Sequence, residues 1–139
     1  MRGEAANPEY LYQIVLCCEY IKQIVAELEG DFDKFTDAKG RKDRDLSAFY
    51  AGQIGEYANK LTAQFKAEHG EIIWHQIVAM RNRIFHDYRS VRQDILWEIM
   101  IEEVPRLGEQ CLRILSELDP NASTDIQEEI ESLRSNNGG

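Results

Sequence analysis

The chain has 139 residues, 43% hydrophobic and 29% charged, with a formal net charge of -9. That length and balance suit one globular domain with a real core, whereas so acidic a body is unusual for a protein that holds nucleic acid through its overall field. No run approaches the length of a membrane span, MRGEAANPEY has no apolar signal core, and Cys17, Cys18 and Cys111 lack zinc-type spacing, so a reducing cytoplasm is the expected compartment.

Tyr10, Leu11, Ile14, Val15, Cys18, Ile21, Val25 and Leu28 recur every three or four residues and predict a first helix, with Gly30 as its stop. Adjacent Cys17 and Cys18 fall in this stripe and read as small buried hydrophobes. The polar stretch from Asp31 to Arg44 is expected to be a connection with one short helical turn. A second stripe runs from Leu46 through Phe49, Tyr50, Ile54, Tyr57, Leu61 and Phe65, and His69-Gly70 closes it. Ile72, Ile73, Trp74, Ile77, Val78, Ile84 and Phe85 predict a third helix.

Ser90 followed by Gln93 reads as a capping box that starts a fourth helix after Tyr88. Its apolar positions extend from Ile95 to Leu118, with a kink or break expected at Pro105. Asp119-Pro120-Asn121 ends that helix. Thr124 with Gln127 would cap a short final one, and disorder is expected from Ser135 to Gly139. No strand-like alternation occurs. The expected fold is all-α, an up-and-down bundle of four to five main helices, with residues 1–118 as the helical domain and 119–139 as an acidic C-terminal segment.

The chemistry concentrates in Arg81-Asn82-Arg83-Ile84-Phe85-His86-Asp87-Tyr88. Histidine exchanges protons near neutrality, and arginine offers a planar, permanently charged fork for a phosphate. Four arginines (Arg81, Arg83, Arg89 and Arg92) face one carboxylate, Asp87, between positions 81 and 92, which makes a basic spot on an acidic body. On a helix Asn82 and His86 share a face, and Arg81 and Tyr88 align about one residue's rotation away. One helix gives a shallow site, and two copies about a two-fold axis would make a cleft.

This set suits metal-independent cleavage of single-stranded RNA, with no cofactor. His86 would be general base or acid, Arg81 would stabilise charge on the phosphate, and Asn82 would orient either. The bland alternative is a structural histidine and an Arg81 paired to a neighbouring helix. His69 and His75 lack a well-placed carboxylate pair for a metal. Trp74 and Trp97 fit the core, and Glu56, beside Gly55, reads as a solvated or paired carboxylate.

Arg81-x-x-x-x-His86-x-Tyr88 resembles the motif of the HEPN ribonucleases, in particular the HepT-type toxins. IVAMRNRIFHDY (77–88), QIGEYANKL (53–61) and ILWEIMIEEVPRL (95–107) are similar to that family, and the likeness runs from about Tyr10 to Leu118. The resemblance implies a dimeric helical bundle with both motif helices at the interface and metal-free RNA cleavage by Arg81 and His86. It also implies a minimal nucleotidyltransferase antitoxin that transfers AMP from ATP to Tyr88. A bulky anionic adduct there would block RNA by charge and volume. The alternative is a non-catalytic binding module or partner subunit of such a nucleotidyltransferase.

Overall fold

The first stripe becomes α1 (Arg2–Glu27), whose Leu11, Ile14, Cys18 and Ile21 are buried. Their three- and four-residue spacing keeps one face of the helix against the core. The helix unwinds at Glu29 and Gly30, both with positive φ, so the stop falls at the expected glycine. The computed structural model describes residues 2–86 and 92–137, without the side chains of Arg2, Phe85, His86 and Asn137.

The polar stretch after Gly30 holds more structure than its composition suggests. It forms α2 (Phe32–Thr36), capped by the Asp31 side chain, and a 3₁₀ turn (Ala38–Gly40) capped by Asp37. α3 (Arg41–Lys60) therefore starts ahead of Leu46. Phe35 anchors this segment, fully buried with its ring centroid 4.9 Å from that of Trp97. Arg44 Nη1 donates to the Phe35 and Asp37 carbonyls, each at 2.7 Å.

On α3 the expected apolar face is rotated. Leu46 and Phe49 lie exposed, while Ser47, Ala48, Ala51, Gly52, Ile54, Gly55 and Ala58 are buried. Small residues win that face because α3 packs against both α1 and α5, and close approach requires little side-chain volume. The second helix also does not run on to Phe65. It ends at Leu61, and α4 (Ala63–Glu68) starts with Thr62 as N-cap. A distant partner causes the break: buried Asn7 accepts from Thr62 N at 3.2 Å and donates to Thr62 Oγ1 at 3.2 Å. His69 closes α4 as predicted.

α5 (Trp74–His86) is the expected third helix. α6 (Gln93–Glu98) has Arg92 at its N-cap with no side-chain cap bond, so Gln93 opens the helix instead of completing a capping box from Ser90. Ser90 itself lies outside the described residues. A π turn (Ile99–Glu103) links α6 to α7 (Val104–Leu118). Pro105 sits in the first turn of α7, where its missing N–H costs least, and the π turn upstream is the irregularity that the proline predicted.

The final helix is longer than expected. α8 (Pro120–Asn137) opens on a proline, with the Asp119 side chain accepting from Ala122 N at 3.1 Å. Thr124 is not a cap, since its hydroxyl donates to the Pro120 carbonyl inside the helix, and Ser135 and Asn136 are helical. Ile126 and Ile130 are buried. Arg134 grips nearly buried Glu19 of α1 through Nε and Nη2 at 2.9 and 3.2 Å, and Tyr12 donates to Glu129 at 2.6 Å.

Among the described residues every regular element is helical, in agreement with the all-α reading, and no helix is long and apolar enough to cross a membrane. Trp74 and Trp97 are core residues. The three cysteines are buried free thiols. Burial alone raises the Cys17 thiol to about 11 and is the main cause that raises Cys111 to about 12, which suits packing groups.

α8 contributes to the same core as α1 and α7, so its removal from that core is costly. Ile126→Ala is expected to lower the unfolding free energy by about 2–4 kcal/mol in urea titration. A loss under about 0.5 kcal/mol, typical of a surface site, would show that α8 adds nothing to the cooperative unit.

Candidate active site

The site begins where α5 crosses α3. A Cβ placed on Gly55 would lie 2.2 Å from Arg81 Cβ and 2.9 Å from the Ile77 carbonyl oxygen. Only glycine admits that approach, so the backbone of α3 is the seat of α5. Ile84, buried, and Ile77, partly buried against the core, hold the apolar side of the helix down.

The next residue on α3 is Glu56, and its Oε2 lies 2.9 Å from Arg81 Nε. Nε is buried and makes no aligned hydrogen bond, so the contact is a close charge pair. Side-chain exposures of 25% for Arg81 and 33% for Glu56 leave the pair wet enough to add little stability, at most about 1 kcal/mol. Its effect is orientation. A guanidinium held at its inner edge is fixed in place.

Asn82 lies one residue, about 100°, further round the helix and is exposed. It belongs to an open groove of about 420 Å³ between α3, α4 and α5, together with Asn59, Lys66, His75 and Val78. Arg81 and Asn82 thus meet different surroundings, one at the helix crossing and the other in solvent. The helical backbone of α5 continues through position 86, which provides the register assumed for Arg81, Asn82 and His86. The His86 side chain and Tyr88 lie outside the described residues, as do Asp87 and Arg89. Of the other arginines, Arg83 is exposed, and Arg92 is matched by Asp94 through Nε and Nη2 at 3.1 and 2.6 Å.

A second cleft of about 160 Å³ lies on the opposite flank of α5. Ile73, Ile77, Met80 and Ile99 line it, with Glu71 and Glu103 among its polar residues. His69 Nδ1 is 3.6 Å from Glu71 Oε1, and its ring sits 4.5 Å from that of Phe65. Among the described residues no group of three or more His, Cys, Asp or Glu could hold a metal ion.

Glu56 takes the paired form of its two expected states. Asn59 and Lys66 were not legible as site residues. Asn59 lies three positions after Glu56, a helical spacing that could have flagged it, but Lys66 reaches the groove only through the break at Leu61-Thr62.

A model of the family described as Ribonuclease HepT-like matches residues 14–114. A protein of Caldanaerobacter subterraneus subsp. tengcongensis, named as a candidate RNase, is 30% identical over 109 residues, covering 76% of this chain and 91% of its own. "Probable ribonuclease HepT" of Thermococcus cleftensis is 28% identical over 102 residues, 73% of this chain and 89% of its own. A further candidate RNase, of Methanocaldococcus jannaschii, is 25% identical over 119 residues, 84% and 93% of the two chains. No solved structure matches.

The crossing and the ion pair are separable by mutation. Gly55→Ala should destabilise the protein by about 1–3 kcal/mol through overpacking, whereas Glu56→Gln should change stability by no more than about 1 kcal/mol. Chemical unfolding of both variants reads the difference, and an unaffected Gly55→Ala would mean the helices do not meet there.

Proposed function

Since this chain belongs to the HepT-like ribonucleases, a family of the HEPN type, we propose that it is the toxin of a toxin–antitoxin pair, cutting RNA without a metal at a site made by two copies. RNA is the substrate class that the family carries. Arg81 and His86 are the catalytic pair of this reading, and Asn82 supports them. The 2′-oxygen of a ribose attacks the adjacent phosphorus, and the bond to the 5′-oxygen of the next nucleotide breaks. His86 takes the 2′-hydroxyl proton or gives one to the departing oxygen. Arg81 stabilises the charge growing on the phosphate.

The observation that carries the reading is the seating of Arg81: a glycine crossing and a carboxylate fix this guanidinium on the motif helix before any substrate arrives. Preorganised charge stabilises a transition state without reorganisation at the moment of reaction. One α5 offers an open, shallow surface, and pairing two about a two-fold axis would deepen it into a cleft. In the same reading a minimal nucleotidyltransferase antitoxin transfers AMP from ATP to the Tyr88 hydroxyl, releasing pyrophosphate. The added phosphate would repel the RNA backbone.

A second reading has a specific observation in its favour. Arg81 already has an anionic partner, and the whole chain carries -9. Both suit a non-catalytic HEPN module that binds a nucleotidyltransferase.

Purified protein should cleave single-stranded RNA in excess chelator, and Arg81→Ala and His86→Ala should each slow cleavage by about 10²–10⁴-fold. Equal cleavage by all three proteins identifies a contaminant and ends the catalytic reading. Incubation with the nucleotidyltransferase and ATP should add the mass of AMP. If the adduct persists undiminished in Tyr88→Phe, Tyr88 is not its site.

A further inference from the structure

The two sides of α5 differ in charge as well as in shape. The cleft on one flank carries two carboxylates, Glu71 and Glu103, and one cation, Arg106. Among the described residues no carboxylate lines the groove on the other flank, in a chain with 25 Asp and Glu residues. Its polar lining is the Lys66 ammonium, the His75 imidazole and the amides of Asn59 and Asn82, over a floor that includes Val78, Ala79 and the edge of buried Trp74. By formal charge the first lining is net negative and the second net positive, so the second is the one that favours a polyanion.

Helical phase ties this groove to the motif. Positions 75, 79, 82 and 86 of α5 fall within about 60° of one another, so one strip of the helix carries the groove and reaches the histidine position. Arg81 lies off that strip with its charge offset by Glu56. Exposed Arg83 lies beside the strip, and Lys66 stands in the groove wall itself, where it can meet an RNA backbone directly.

We propose that the groove between Asn59, Lys66, His75 and Asn82 is a nucleotide subsite, holding an RNA residue that flanks the scissile bond. This rests on RNA being the substrate. Lys66 meets a phosphate as a compact point charge. Each amide carries a donor and an acceptor side by side, the pattern that pairs with a base edge. The apolar floor accepts the face of the base or ribose. The volume, about 420 Å³, falls within the range of small-ligand sites.

The test measures binding apart from cleavage. Full-length protein carrying His86→Ala is titrated against a fluorescently labelled single-stranded RNA oligonucleotide at several salt concentrations, and anisotropy is read. Adding Lys66→Glu should weaken binding about tenfold or more and lower the slope of log K against log salt by about 1. Asn59→Ala should weaken binding a few-fold with the slope unchanged. Lys42→Glu is the control. It makes the same charge change at an exposed position near the other end of α3, roughly 25 Å away along the helix.

Matching thermal melts for all variants show that the fold is intact. Lys66→Glu behaving like Lys42→Glu overturns the subsite, as does an oligonucleotide that the parent protein does not bind. A wild-type chain that binds RNA through Lys66 but leaves it uncut supports the subsite while ending the nuclease reading. Cleavage by the wild type with Lys66 indifferent to binding does the reverse.

Discussion

The missing side chain at Gly55 is the constraint on which the rest of this structure depends. α3 sits between α1 and α5, and it can do so because, Ile54 apart, the buried residues of its packed faces are alanine, serine and glycine. At Gly55 the gap closes to the point where even a methyl group would overlap the backbone of α5. Everything on α5 is referenced to that contact: the depth of Arg81, its meeting with Glu56, and the outward strip that bears Asn82. A looser crossing would leave the same residues on the same helix with no fixed relation to α3.

Charge is organised against the average of the molecule. The chain is strongly acidic, yet among the described residues no carboxylate lines the groove beside Asn82. Several carboxylates have structural partners: Glu19 holds Arg134, Glu129 accepts from Tyr12, and Asp94 matches Arg92. Such pairing localises the field. What an approaching polyanion meets is then decided by a few groups within a Debye length, about 8–10 Å, rather than by the total. Family membership and an acidic composition are therefore compatible.

The sequence made the helical class, the first stripe, the tryptophan core and the presence of a helix at positions 81–86 of the motif legible, because each follows from spacing within one segment. It misled where distant residues decide. Leu46 and Phe49 look like core positions until α1 and α5 claim the small-residue faces of α3. Leu61 looks mid-helical until Asn7, far back in α1, binds Thr62. The final helix looked short because Pro120 resembled a stop, whereas Asp119 makes it a start. Arg81 and Asn82 were legible as residues, but the carboxylate that holds one and the groove that holds the other were not, since both come from α3 and α4 folded alongside.

The apolar cleft and the polar groove are two sides of a single partition. α5 is seated on α3 at its glycine crossing, held against the core by Ile77 and Ile84, and flanked by a cavity on each side. A sideways lean of the helix that widened one void would narrow the other. Filling the greasy side with side chains or with a neighbouring subunit would brace the wall, and the width available on the wet side would then be set from behind.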